Sequence, residues 1–102
     1  MVVILFRSRL TAAAGTDYTT KSDELENMVR TFDGFVDVRS YTAPDGERLT
    51  VVWWRDLESL KKWRNDPTHA AAQGRGRKDW YEFYKLEVAE IVRDSNFQRI
   101  QG

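Results

Sequence analysis

The sequence predicts an α+β fold of the ferredoxin-like type, a β-α-β-β-α-β chain whose antiparallel sheet carries its helices on one face. Three observations in the 102 residues predict it. Strand-like runs and helical stripes alternate in that order along the chain. An Asp45-Gly46 turn signal joins the two middle runs as an antiparallel hairpin. An Asp66-Pro67 step then breaks the second helix in two, because aspartate is a favoured N-cap and proline a favoured first helical residue.

Residues 2–10, VVILFRSRL, are rich in β-branched and large apolar side chains and read as the first strand. A small-residue loop over 11–17 ends at Asp17, a candidate helix cap. From 18 to 32, Leu25, Met28, Val29 and Phe32 fall at i, i+3, i+4 and i+7 and form one apolar stripe, with Lys21, Glu24, Glu26 and Arg30 around it. Gly34 stands where this helix should end. Residues 35–42 and 48–54 are the hairpin strands; in the first, Val36 and Val38 alternate with Asp37 and Arg39. Asp56 is placed to cap the next helix, whose expected inner face is Leu57, Leu60 and Trp63 or Arg64. The second piece of that helix runs from Pro67 to about Gly76. A last strand follows over 81–92, and 93–102 is a polar tail holding only Phe97 and Ile100. Residues 1–102 thus read as one domain.

Composition narrows the function classes. Sixteen basic and sixteen acidic residues cancel, so no long-range field favours nucleic acid or an anionic membrane. The local Arg75-Gly76-Arg77-Lys78 run reads as a solvated helix end. Without cysteine there is no disulfide or thiolate chemistry, which suits a reducing cytosol and gives the expectation of a cytoplasmic protein. The opening MVVILFRSR is too short and wrongly flanked for a signal peptide or a membrane span. Gly74 and Gly76 lack the strand-before, helix-after context of a phosphate loop.

Both faces of the first and third strands are apolar. Val2, Ile4 and Phe6 alternate with Val3 and Leu5, and Leu49, Val51 and Trp53 alternate with Val52 and Trp54. Helices on one face would leave the other set in water, so the sequence predicts a partner, most simply a second copy joined through the open sheet face as a homodimeric barrel.

The spacing of VVWW, then DLESLKKWRNDPTHAAAQ, then GRGRKDWYEFYKLEVAEIVRD resembles the antibiotic biosynthesis monooxygenase family of dimeric α+β barrels over nearly the whole chain. The resemblance implies oxygenation of an electron-rich aromatic or quinone-like molecule without a cofactor, where the substrate itself supplies the electrons. Its haem-degrading branch resembles an asparagine on the first strand, a tryptophan on the second helix and a ligating histidine about ten residues later. Here Trp63 fills the second position, but Ser8 and Gln73 stand at the others, and glutamine is a poor iron ligand.

A cofactor-free oxygenase must remove a proton, stabilise an oxyanion and exclude water. His69, the single histidine, is the side chain whose ordinary pKa suits a base near neutrality. Trp63, Trp80, Tyr81 and Tyr84 are candidate walls for a flat substrate, with Arg9 or Arg77 facing an oxyanion. Each has a plainer structural reading: Trp63 continues the inner helical stripe, and a lone histidine in a first helical turn is commonly a surface residue. The contrasting functional reading is a non-catalytic or stress-related dimer that holds a small hydrophobic molecule.

Overall fold

The computed structural model describes residues 1–100. Four strands, β1 (Val2–Leu10), β2 (Phe35–Thr42), β3 (Arg48–Trp54) and β4 (Tyr81–Glu90), form one sheet in the order β2-β3-β1-β4, every neighbouring pair antiparallel. The helices are α1 (Gly15–Val29), α2 (Leu57–Arg64) and α3 (Pro67–Arg75), and a π-helical turn, Gly76–Trp80, leads into β4. This is the expected ferredoxin-like α+β architecture.

Strand register decides which side chains share a face. Val2, Ile4, Phe6 and Ser8 lie opposite Trp54, Val52, Thr50 and Arg48 of β3, and opposite Glu90, Val88, Leu86 and Tyr84 of β4. This side of the sheet meets the helices. Its core joins Val2, Ile4 and Trp54 to Val29 of α1 and to Leu60 and Trp63 of α2, with Phe6, Leu25, Met28, Phe32, Phe35 and Val52 packed around them. Trp54 is wholly buried.

Three local expectations change. The first helix begins at Gly15, so Asp17 lies inside its first turn rather than capping it, and Ala14 at the N-cap makes no side-chain cap bond. In α2, Asp56 does cap, accepting from the Ser59 amide at 2.8 Å, but Leu57 is exposed and the buried face is Ser59, Leu60 and Trp63. Trp63 lies at the centre of that face, and at about 100° per residue Leu57 points roughly 120° away from it. The last strand ends at Glu90, two residues early.

Gly34 does more than end a helix. It holds φ at +87°, and a Cβ there would run into the Ser59 side chain, while its carbonyl accepts from the Arg55 amide at 2.7 Å. The position needs glycine for both conformation and space.

The opposite sheet face is less bare than the alternation suggests. Val3 and Val51 are buried, and Leu5, Leu49 and Trp53 are half-buried, because β1 and β3 are the two central strands and Val3 lies against Trp53 and Leu5 against Val51. Within the sheet, the large exposed apolar side chains sit instead on the edge strands, Val36 and Tyr41 on β2 and Phe83, Leu86 and Val88 on β4, and others lie beyond β4 at Val92, Phe97 and Ile100. Among the described residues no helix is long and apolar enough to cross a membrane.

Candidate functional site

The break between α2 and α3 builds the first half of the site. Asp66 accepts from the amides of Thr68 at 2.9 Å and His69 at 3.3 Å, with Pro67 as the first helical residue. This fixes His69 in the opening turn of α3, and its ring folds back onto Trp63, with ring centroids 4.4 Å apart and planes 23° from parallel. Trp63 in turn meets Phe32 edge-on at 5.1 Å. The imidazole is half-buried, and its Nδ1 is buried with no hydrogen-bond partner among the described residues. Burial pulls its pKa below the ordinary imidazole value; the Trp63 backbone carbonyl and the Asp66 carboxylate oppose that pull without overcoming it. His69 is therefore a neutral imidazole near pH 7.

The second half lies past the other end of α3. Arg75 bridges Asp17 at 3.2 Å and Asp79 at 3.0 Å and lies over the Trp80 ring, so the basic run is partly built into the fold instead of being only a solvated helix end. Thr11 ties the turn to β1, its hydroxyl donating to the Asp79 carbonyl and its amide to the Trp80 carbonyl. Gly76 is buried beneath the Tyr81 ring, where a Cβ would collide.

Tyr81 and Tyr84 then project from β4 onto the helix side, where both meet Phe6, at 5.6 and 5.4 Å, and each other at 5.8 Å. Tyr18 of α1 closes the group, edge-on to Tyr81 at 6.0 Å and to Trp80 at 5.6 Å. Burial, reinforced by the neighbouring Tyr18 phenol, drives the Tyr81 pKa far above the usual phenol range, so Tyr81 stays a hydrogen-bond donor. The Tyr84 hydroxyl accepts from Arg77 at 3.1 Å and the Tyr18 hydroxyl from Arg48 at 3.1 Å.

Arg9 does not belong to this group. It pairs in register with Phe83, an odd-numbered position of β1 that faces away from the helices, and its guanidinium lies over the Phe83 ring and pairs with Asp45 at 3.4 Å. Tyr18 and Arg48, by contrast, join the group although the sequence does not single them out.

A groove of about 710 Å³ runs between α1 and α3, with Thr20, Lys21 and Glu24 on one wall, Thr68 and Ala71 on the other, and Trp80 among its lining residues. Trp63 and His69 do not line it. Among the described residues no three His, Asp or Glu side chains gather as a metal-ligand set.

The antibiotic biosynthesis monooxygenase family model matches residues 1–75. The chain belongs to that family. The match ends with α3, so the Trp63–His69 stack lies inside the matched span, and Trp80, Tyr81 and Tyr84 lie beyond it. The chain is 32% identical over 83 residues to the uncharacterised protein YqjZ of Bacillus subtilis, covering 81% of this chain and 73% of that protein. It is 31% identical over 107 residues to a jasmonate monooxygenase of Pyricularia oryzae, covering 99% of this chain; the chain spans about half (49%) of the length of that fungal protein. Among solved structures, Rv0793 from Mycobacterium tuberculosis superposes with a TM-score of 0.80 at 17% identity, covering 93% of this chain and 98% of that one. The cofactor-independent oxygenase SnoaB from Streptomyces nogalater does so with a TM-score of 0.74 at 12% identity, covering 91% and 94%. At such identities these structures speak for the fold.

Proposed function

We propose that the protein is a cofactor-independent monooxygenase acting on an aromatic or quinone-forming small molecule, with His69 as the base. The observation that carries this reading is the Trp63–His69 stack: a neutral, half-buried imidazole whose plane is held by an indole face at the break between α2 and α3. The family membership and the oxygenase activities named for two similar proteins support it.

The chemistry balances without an external reductant. A neutral imidazole takes a proton from the activated methylene of an anthrone-type ring, leaving an enolate. That anion gives an electron to molecular oxygen, and the radical pair closes to a carbon–peroxide bond. Loss of the second methylene proton with cleavage of the O–O bond leaves a ring carbonyl and water. All four electrons come from the substrate, one oxygen atom stays in the product, and the other leaves with the two substrate hydrogens. The protein's share is to hold the proton acceptor, to wall a flat ring with Tyr81 and Tyr84, and to keep water away from the anion. Self-association through the open sheet face, across Leu5, Leu49 and Trp53, completes the proposal; light scattering at micromolar concentration is expected to give twice the monomer mass.

Anthrone and heavy-isotope dioxygen, with chelator-treated protein, test the chemistry. Quinone formation faster than in buffer is expected, with one labelled oxygen per quinone and one dioxygen consumed per anthrone. The His69→Ala variant is expected to lose roughly a hundredfold in rate at nearly unchanged melting temperature. Anthrone that binds but oxidises no faster than in buffer would overturn the oxygenase reading in favour of a small-molecule-binding dimer.

A further inference from the structure

Of the arginines in β1 and β3 that are partly withdrawn from solvent, Arg9 has the Asp45 carboxylate and Arg48 has no carboxylate among the described residues. Arg48 sits on the helix side of β3, in line across the sheet with the buried Ser8 and with Tyr84. Its one side-chain hydrogen bond among the described residues is to the Tyr18 hydroxyl, and its guanidinium lies 5.6 Å from the Tyr18 ring centroid. Setting a guanidinium partly out of water without a counter-charge is unfavourable. At the other end of the same aromatic group, Arg77 also lacks a carboxylate among the described residues and donates to Tyr84. Two uncompensated cations thus flank three phenols on one end of the helix-side surface.

Directly beside this row the sheet turns apolar and open. Leu86 pairs in register with Phe6, Val88 with Ile4, and they remain 40% and 42% exposed on the helix side of β4. A cationic anchor next to an uncovered apolar strip has the complementarity of a molecule with an acidic head and a hydrophobic body. A guanidinium with most of its N–H groups uncommitted matches the planar, two-oxygen face of a carboxylate better than any neutral acceptor.

We propose that Arg48, held by Tyr18, is the anchor of a binding subsite for hydrophobic carboxylates, with the body of the ligand lying over Phe6, Leu86 and Val88. The subsite is argued from Arg48 and the β4 strip alone and does not depend on the oxygenase reading.

Cinnamate and its neutral amide, cinnamamide, separate charge recognition from apolar binding, and can be titrated by NMR without oxygen. Cinnamate is expected to bind about tenfold or more tightly than cinnamamide, and to shift the Arg48 Nε–H resonance and the Leu86 and Val88 methyl resonances. Arg48→Gln is expected to erase the preference, Arg48→Lys to retain part of it, and Arg39→Gln, on the opposite sheet face, to leave it intact. Equal binding of the two probes, or a cinnamate preference unmoved in Arg48→Gln, would overturn the proposal. Should the glutamine variant fail to fold, the Arg48 Nε–H resonance of the unmodified protein decides the matter: its silence at saturating cinnamate would overturn the proposal as well. No cinnamate binding at all would do the same and leave the Leu86–Val88 strip for a second copy of the chain.

Discussion

The helix side of the sheet has two unlike halves. Over β1 and β3 it is closed: Trp54, Leu60, Val29 and Trp63 are buried against one another and the strands. Over β4 it is open, with Leu86 and Val88 exposed and Tyr81 and Tyr84 half-buried beside them. The closed half is made almost wholly of hydrocarbon. The open half, together with the Arg48 end of β3 beside it, carries phenols and guanidiniums, whose polar groups need partners that the helical layer only partly provides. A fold that fills one half of its layer and leaves the other uncovered has separated its stability from its room for a ligand, and His69 is stacked on Trp63, a member of the closed core.

The comparison breaks most readily at Trp54. Trp54→Ala should cost about 3–5 kcal/mol in urea unfolding, whereas Val88→Ala on the open half should cost well under ~1 kcal/mol. Similar losses at both positions would mean that β4 is covered in solution and the two halves are alike. Next comes Gly34, which supports the closed half where α2 begins. Gly34→Ala should cost about 1–3 kcal/mol, and the loss should shrink when Ser59→Gly removes the side chain that the new Cβ meets; an unchanged loss would leave only the backbone conformation as its cause.

The smallest effect is the pH response of His69. Its folded pKa lies below the unfolded value, so the stability it contributes is fully present above about pH 6.5 and is lost as pH falls from there through the folded pKa. His69→Gln should flatten the melting-temperature profile in that window, and a profile identical to that of the unmodified protein would mean that burial does not hold the imidazole neutral.

Much of the closed half is legible because its signals are local. The limits of β1, β2 and β3 follow from alternation and from the turn at Asp45-Gly46, and the start of α3 from Asp66-Pro67. The early start of α1 is not legible, since the residues ahead of Tyr18 carry no apolar stripe. Two other departures do carry a signal in the sequence. Arg9 shares odd parity with Val3 and Leu5 and so has to face away from Phe6. Tyr18 lies seven residues before Leu25, on the same helical stripe, and Arg48 alternates onto the face of Thr50, Val52 and Trp54. The π-helical turn over Gly76–Trp80, which aims Trp80 and Tyr81, has no comparable sequence mark. Nor does the openness of β4, because it depends on how far the helical layer extends across the sheet, a property of the assembled fold and not of any segment.

The central claim is that room for a reacting ligand lies on the helix side of β4 within reach of His69. A crystal structure of the protein soaked with anthraquinone tests it most directly. Ring density over Leu86 and Val88, walled by Tyr81 or Tyr84 and with a ring oxygen within hydrogen-bond distance of the His69 imidazole, is the expected result. Density confined to the groove between α1 and α3 or to the opposite sheet face, with His69 turned to bulk water, would contradict it.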